Sequence, residues 1–435
     1  MVPTFFLNGS GIMHALTELI YKDMKPALGV TEPGAIAFAV ATAMKHVSGE
    51  LKSVKVYLNS GMYKNAFTCG IPNSDHVGNV YATALGVVAG DASKGLESLE
   101  KVSHEENIKA EELVQQEKIE VFMEHIGSEI SIRAEVNTEK EQCKVKILGG
   151  HTDICYIEKN GEVLYQKEAK KSQKEEKKLI HEFGLREILE YVDDVEENEI
   201  IFIRDAYSMN MELLEEGLQS SKTSFGPMLK KFNGGKLISD DERKTAQLLC
   251  NGAIEARVLG LNKPAMSITG SGAHGIIATL PLFAYQQIHR EEITPGRLLK
   301  ATALSYLITT YIKEYSGKLS AFCGCGIAAG TGMACALCYL RGGKISEISK
   351  VINNMASGIT GMICDGGNQG CTMKGIVAVD AAFRAVDMAM EGIAVDAVHG
   401  INGKTPEETM KNMGLIASPG MVATEETIVN IMRDK

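Results

Sequence analysis

No apolar run in this chain reaches the roughly 20 residues that a bilayer-spanning helix needs. The first residues, MVPTFFLNGSGIMHAL, lack a basic patch followed by a sustained apolar stretch, the mark of a secretory leader. No membrane association is therefore expected, and the cytoplasm is the expected compartment. Positive charge is short as well: 45 Lys and Arg against 55 Asp and Glu leave a formal charge of −10. Such a balance provides no field to gather nucleic acid or anionic lipid, so neither is an expected partner. The Lys/Glu-rich stretch 167–180, KEAKKSQKEEKKLI, is a local exception that reads as a solvated linker or helix face. No internal repeat of roughly 20 to 50 residues is found, which sets aside solenoids and propellers.

What is present is enough apolar material for a large core, 45% of 435 residues, in a chain long enough for two or three domains. Residues 11–24 and 33–48 have helical spacing, interrupted at Pro26 and Gly29 and restarted at Thr31-Glu32-Pro33. From residue 52 the pattern shortens to β-type runs at 52–59, 117–125, 129–137, 142–150 and 152–166, the last with an Asn160-Gly161 hairpin signal; 74–89 and 104–116 read as helices between the first two. Beyond the charged stretch, 241–259, 273–291, 296–316, 326–341, 345–357 and 374–391 are Ala-rich with helical period, several apolar all round. The expected class is α+β: a helical segment 1–48 packing on the C-terminal domain, an α/β domain 49–170 with a mixed sheet, and an all-helical catalytic domain 171–435.

Ten cysteines in a chain without an export signal point to metal binding or catalysis rather than a disulfide framework, and six of the ten fall between Cys323 and Cys371. AFCGCGIAAGTG (321–332) sets Cys323 and Cys325 in a glycine-rich turn at a helix entrance, where backbone N–H groups lower thiol pKa values. GMICDGGNQGCTMK (361–374) places Cys364 and Cys371 in a loop whose three intervening glycines let it curl. Soft thiolates gathered this way select zinc, copper(I) or an iron–sulfur cluster, and the C-x-C and C-x₆-C spacings fit zinc knuckles poorly. Cys335 and Cys338, within apolar GMACALCYL, read as core residues.

ITGSGAHGIIATLP, FCGCGIAAGTG and MICDGGNQGCTMK, in this order, resemble the L-cysteine desulfidase family and, more distantly, the catalytic domain of iron–sulfur L-serine dehydratases. The resemblance extends over most of the chain, including the Thr31-Glu32-Pro33 segment and the C-terminal MGLIASPGMVATEETIVNIM. It implies a [4Fe-4S] cluster held by Cys364, Cys371 and one cysteine of the turn, Cys323 preferred with Cys325 as the alternative. It also implies a small amino-acid substrate and β-elimination to pyruvate and ammonia without pyridoxal phosphate; a homodimer is a separate expectation.

Around those ligands the loop Thr269–Gly275 offers backbone donors, with Ser271 and Gly272, for a substrate carboxylate, and His274 as an acid/base candidate. Tyr63-Lys64-Asn65 matches the family's KN pattern: Lys64 would neutralise a carboxylate or act as base, and Asn65 would contact substrate. Thr31 and Glu32 would do so from the start of a helix, Asp365 would support the cluster, and Gly150-His151-Thr152 reads as structural. One departure stands out. The family's G-C-T-E-P reads Gly29-Val30-Thr31-Glu32-Pro33 here, and valine neither ligates nor transfers a proton. That substitution favours a rival dehydratase reading with serine or another β-substituted amino acid as substrate; a non-catalytic metal-binding or redox-sensing protein is the alternative from a different class.

Overall fold

The computed structural model describes residues 13–167 and 178–435; most of the charged stretch 167–180 and the start of the 11–24 segment lie outside them. The described chain opens with α1 (Ala15–Asp23), β1 (Lys25–Leu28) and α2 (Thr31–Met44). It continues through β2 (Leu51–Asn59), α3 (Ser60–Ala66), α4 (Gly78–Val88), α5 (His104–Gln115), β3 (Ile119–His125), β4 (Ser131–Thr138), β5 (Gln142–Leu148), β6 (Ile154–Lys159) and β7 (Glu162–Gln166). Strands β2 to β7 form one sheet in the order β3-β2-β4-β5-β6-β7, parallel only between β2 and β3. The β2-to-β3 crossover holds three helices, as a parallel pair requires a long connection.

Register explains why one face of this sheet is covered. Val54 pairs with Val136, Val56 with Ala134 and Leu58 with Ile132, and the last three continue to Cys143, Val145 and Ile147 on β5. All of these are buried. The alternate positions, Lys55, Arg133, Glu135 and Lys144, carry the polar face. Helices α2 and α4 pack on the apolar side, with α2 against β4 and β5.

This divides the segment 1–48, expected to lie wholly on the C-terminal domain. Its α1 and β1 do lie there, against α11 and β8 described next, whereas α2 lies on the sheet. The physical reason is that α2, buried along nearly its whole length, supplies the apolar surface that the inner sheet face needs.

The remaining elements are α6 (Leu185–Asp194), α7 (Arg204–Gln219), α8 (Phe225–Phe232), α9 (Glu242–Val258), β8 (Pro264–Ser267), α10 (Gly272–Ile288) and α11 (Pro295–Ser316). A π-helical turn, Cys325–Ala329, leads into α12 (Gly330–Leu340), followed by α13 (Ile345–Ile359), α14 (Gly370–Met390), α15 (Pro406–Leu415) and α16 (Val422–Arg433). The 22-residue α11 runs through the middle, touching α10, α12, α15 and α6. Thr294 Oγ1 accepts the Arg297 N–H at its start, with Pro295 at the first position.

The architecture is α+β, as expected, with three local corrections. Residues 171–435 are not all helical: β8 pairs antiparallel with β1, from Lys25 opposite Ser267 to Leu28 opposite Pro264. Four residues are too few for an alternation signal, and each strand carries a proline tolerated only because the ribbon has free edges. Helix α10 spans Gly272–Ile288 rather than 273–291, and its early glycines serve contact: a Cβ at Gly275 would sit 1.8 Å from the Met266 carbonyl oxygen. Helix α3 went unread because seven residues containing Gly and Asn have little helical signature. Among the described residues no helix is long and apolar enough to cross a membrane.

Candidate functional site

The two cysteine segments meet through their backbones. Phe322 bridges Ile363 in antiparallel fashion, the Cys323 N–H donates to the Met362 carbonyl at 3.1 Å, and the Cys364 N–H to that of Ala321 at 2.6 Å. Cys323 is buried, while Cys325, Cys364 and Cys371 are half-buried. Cys371 falls in the first turn of α14, its thiol on the Gly366 carbonyl at 3.4 Å. Gly366 has φ +102°, so only glycine allows this curl without strain; a Cβ there would also strike the Lys64 carbonyl at 2.3 Å. Among the described residues no three His, Cys, Asp or Glu side chains converge as ligands of a single ion.

Cys323, Cys364 and Cys371 do not show the lowered pKa expected of ligating thiols. A hydrogen bond with Cys325, then burial, holds Cys323 well above the usual thiol value. Burial raises Cys364 too, with Lys64 and Lys374 pulling the other way, and burial followed by the neighbouring Cys364 and Cys323 pushes Cys371 up to about 12. Desolvation outweighs the dipole because these groups sit deeper than an ordinary helix end. A bound cation reverses that balance, since metal ligation drives thiols to thiolates.

A polar chain reaches this turn from the far end of the sequence. The Asn65 carboxamide joins Glu32 to the cysteine loop: Nδ2 donates to Glu32 Oε1 at 2.9 Å, and Oδ1 accepts from the Cys364 thiol at 3.9 Å. Thr31 Oγ1 donates to the other Glu32 oxygen at 3.1 Å. His151 Nε2 stands 3.8 Å from Glu32 Oε1 on the opposite side, so the residue expected to be structural touches the candidate site. Burial alone would raise the Glu32 pKa, but His151, the Asn65 donor and the Arg257 charge together hold it at about 2. The Gly367 N–H donates to the Asn65 carbonyl at 3.2 Å, and Val30 packs beside the same glycine, its methyls 3.1 and 3.2 Å from where a Gly367 Cβ would stand.

Lys64 is neither at the surface nor free. Its ammonium, 1% exposed, pairs with Glu425 of α16 at 2.6 Å and donates to the Ser320 carbonyl at 2.9 Å. Asp365, next to Cys364, pairs with Lys374 of α14, whose charge in turn acts on Cys371 and Cys323.

On the other side of the turn lies the start of α10. Thr269 and Gly270 both take positive φ, +48° and +76°. A β-branched residue there costs about 1–3 kcal/mol. It is held by Asp23 Oδ2, which accepts the Thr269 N–H at 2.7 Å, and it directs the Thr269 hydroxyl to His274 Nδ1 at 2.6 Å. The opposite nitrogen, Nε2, stands 2.7 Å from where a Gly324 Cβ would be, so the glycine between Cys323 and Cys325 is what lets the imidazole reach the turn. Burial, then the Lys313 and Arg257 charges, drives the His274 pKa down to about 3, leaving the ring neutral at pH 7. Ser271 is the N-cap residue of α10 but makes no capping bond with its side chain, and Gly272 lies against the Arg257 side chain.

Every residue singled out from the sequence thus falls around the start of α2, α3, α10 and the cysteine turn, although Lys64 is turned toward α16. Sequence reasoning missed Arg257, Lys313 and Glu425. Lys313 of α11 is 8% exposed, donates to the Gly317 carbonyl at 2.9 Å and lies close enough to Cys325, Cys364 and Cys323 for their charges to act on it; burial is the larger influence and lowers its pKa.

Comparison with known proteins bears on the same residues. The profile of the family described as Serine dehydratase alpha chain matches residues 93–430. A UPF0597 protein of Clostridium botulinum (strain Langeland) is 41% identical over 424 residues, spanning 96% of this chain and 98% of that relative. Another from Caldanaerobacter subterraneus subsp. tengcongensis is 37% identical over 97% of this chain and 98% of its own, and one from Clostridioides difficile (strain 630) is 34% identical over 96% and 99%.

Proposed function

The chain belongs to the serine dehydratase alpha chain family, and from that premise we propose that it is an iron–sulfur-dependent lyase acting on L-cysteine or L-serine. It would expel the β-substituent as sulfide or water; the 2-aminoacrylate left behind tautomerises and hydrolyses to pyruvate and ammonia. The observation that carries this reading is the meeting of Cys323, Cys364 and Cys371 across the Phe322–Ile363 bridge, with His274 and the Glu32–Asn65 pair on either side. The C-x-C and C-x₆-C spacings, which fit zinc knuckles poorly, favour a polynuclear group, in which each thiolate takes its own iron. Cys364, Cys371 and Cys323, with Cys325 as the alternative, would hold a [4Fe-4S] cluster. When bound, that cluster supplies an iron without a protein thiolate, a Lewis acid for the departing oxygen or sulfur.

The chain's own groups divide the remaining work. The Ser271 hydroxyl and the Gly272 N–H at the start of α10 receive the substrate carboxylate, the Ser271 N–H itself donating to the Ile268 carbonyl at 3.0 Å. Neutral His274, oriented by Thr269, is available to take the α-proton at Nε2, the nitrogen that faces the cysteine turn. Ionised Glu32, with Thr31 and Asn65 fixed around it, is placed to receive the substrate ammonium. Lys64 neutralises a carboxylate, that of Glu425, and so holds α3 and Asn65 against the cysteine loop.

A second reading, elimination confined to serine or another non-thiol substrate, is favoured by Val30. The valine fills with methyl groups a position beside Gly367 where the resemblance implies a thiol. Anaerobic purification followed by a panel of amino acids tests both. The expected result is brown protein with about four irons and four sulfides per chain and pyruvate from L-serine, L-cysteine or both. Colourless protein with stoichiometric zinc and no pyruvate would sink the proposal.

A further inference from the structure

The guanidinium of Arg257 has no partner among the described residues. The residue is 5% exposed, its Nε makes no hydrogen bond, and it forms no ion pair among the described residues. Buried charges are normally paired, because removing an ion from water is costly without compensation. Arg257 ends α9, where C-terminal carbonyls favour a cation in general. Yet no carbonyl accepts from it among the described residues.

Its surroundings show what it faces. The Nε stands 2.6 Å, and the Cδ 3.1 Å, from where a Cβ on Gly272 would be, so this glycine makes room for the arginine at the first residue of α10. That helix has 17 residues and no side-chain cap, leaving its first N–H groups for an outside acceptor. His274 one turn in and Glu32 across the site both feel the Arg257 charge. Glu32 feels that charge but forms no ion pair with it among the described residues; the basic group beside its carboxylate is His151 at 3.8 Å.

We propose that Arg257 is the receptor for the α-carboxylate of the substrate, its planar fork closing on the carboxylate against the first turn of α10. The assignment rests on the lyase reading for the identity of the substrate but not for the binding chemistry. It makes the ligand class an α-amino monocarboxylate whose ammonium meets Glu32 while its carboxylate meets Arg257. Arginine suits the task because five fixed donors match a carboxylate in bidentate fashion, which a lysine cannot reproduce.

The test uses the anaerobically purified protein with L-alanine, which has the carboxylate and ammonium but no β-leaving group, and L-alaninamide, which lacks the carboxylate charge. Calorimetric titration should show wild type binding L-alanine in preference to the amide. Arg257→Met should lose L-alanine affinity on the order of 100-fold and with it the preference, and Arg257→Lys should fall between. Because the cation is unpaired without ligand, Arg257→Met should also melt no lower than wild type, an outcome a merely structural arginine would not give. Wild-type affinity for L-alanine in Arg257→Met overturns the assignment, as do unfolding of that variant or the absence of saturable L-alanine binding by wild type. The two readings fail separately: pyruvate formation tests the lyase, whereas L-alanine binding tests Arg257 whether or not turnover occurs.

Discussion

Replacing Lys64 by Met exposes how the cysteine loop is held. The ammonium is the only partner of the Glu425 carboxylate, whose Oε2 lies 2.6 Å away and whose Oε1 is buried without a hydrogen bond among the described residues. Both side chains are almost fully buried, so the variant strands a carboxylate in apolar surroundings. Breaking such a pair from one side costs about 3–5 kcal/mol. Destabilisation should therefore be about 3–5 kcal/mol.

With an unfolding entropy of about 2.1 cal/mol/K per residue, a chain of 435 residues converts that loss into a drop of about 4 °C in melting temperature. Urea unfolding at pH 7 measures it directly. The double variant Lys64→Met/Glu425→Met removes both charges and should recover most of the stability, since an apolar pair of similar volume replaces a buried ion pair at little cost. Activity in that double variant separates the roles considered for Lys64. Recovered pyruvate formation fits charge neutralisation, and a stable but inactive double variant would return the lysine to the reacting atoms. A Lys64→Met loss below about 1 kcal/mol would refute the reasoning.

Further outcomes follow from the same geometry. Glu32 titrates at about 2 when folded against 4.5 when free, so its contribution is complete above pH 4.5 and disappears as pH falls from 4.5 toward 2. At about 1.4 kcal/mol per unit this is on the order of 3 kcal/mol; Glu32→Gln should flatten the pH dependence of unfolding over that interval, and an unchanged slope would contradict the pairing. The His274 imidazole, folded pKa about 3, should show no proton-resonance titration between pH 5 and 8, and a midpoint near 6.5 would show that the ring is neither buried nor beside cations. Cys364→Ser and Cys371→Ser should each lose iron and pyruvate formation together, measured anaerobically; full activity in either is inconsistent with their assignment as ligands. Val30→Cys should raise hydrogen sulfide release from L-cysteine, and no change relative to wild type would remove the valine as a determinant of substrate.

Much of the fold was legible because burial left a period in the sequence. β4 reads as a strand because Ile132, Ala134 and Val136 face α2 while Arg133 and Glu135 face outward. The helices α9 to α14 were legible from their Ala-rich composition. What escaped lacks room for a period: β1 and β8 have four residues each, and their pairing joins Lys25 to Ser267 across the chain. The division of residues 1–48 escaped for another reason. α2 is apolar on every side, so its sequence says that it is buried and not what it is buried against.

The candidate site divides along the same line. Its cysteines were legible because glycines flank them, and the glycines prove to be close-approach positions: Gly324 for His274, Gly366 for the Lys64 backbone. Asn65 was found through a resemblance, but its place between Glu32 and Cys364 joins residues 299 positions apart and depends on the folded chain alone. The cations were hidden because helices obscure them. Arg257 lies at the end of α9, where a basic residue normally complements the helix dipole, and Lys313 lies in the last turn of α11 for the same apparent reason. Both are nevertheless buried where a dipole partner would be exposed. Lys313 answers that burial with the Gly317 carbonyl, whereas Arg257 has no such answer among the described residues. That difference, invisible in residue types, separates a cation that supports the fold from one kept free for an incoming anion.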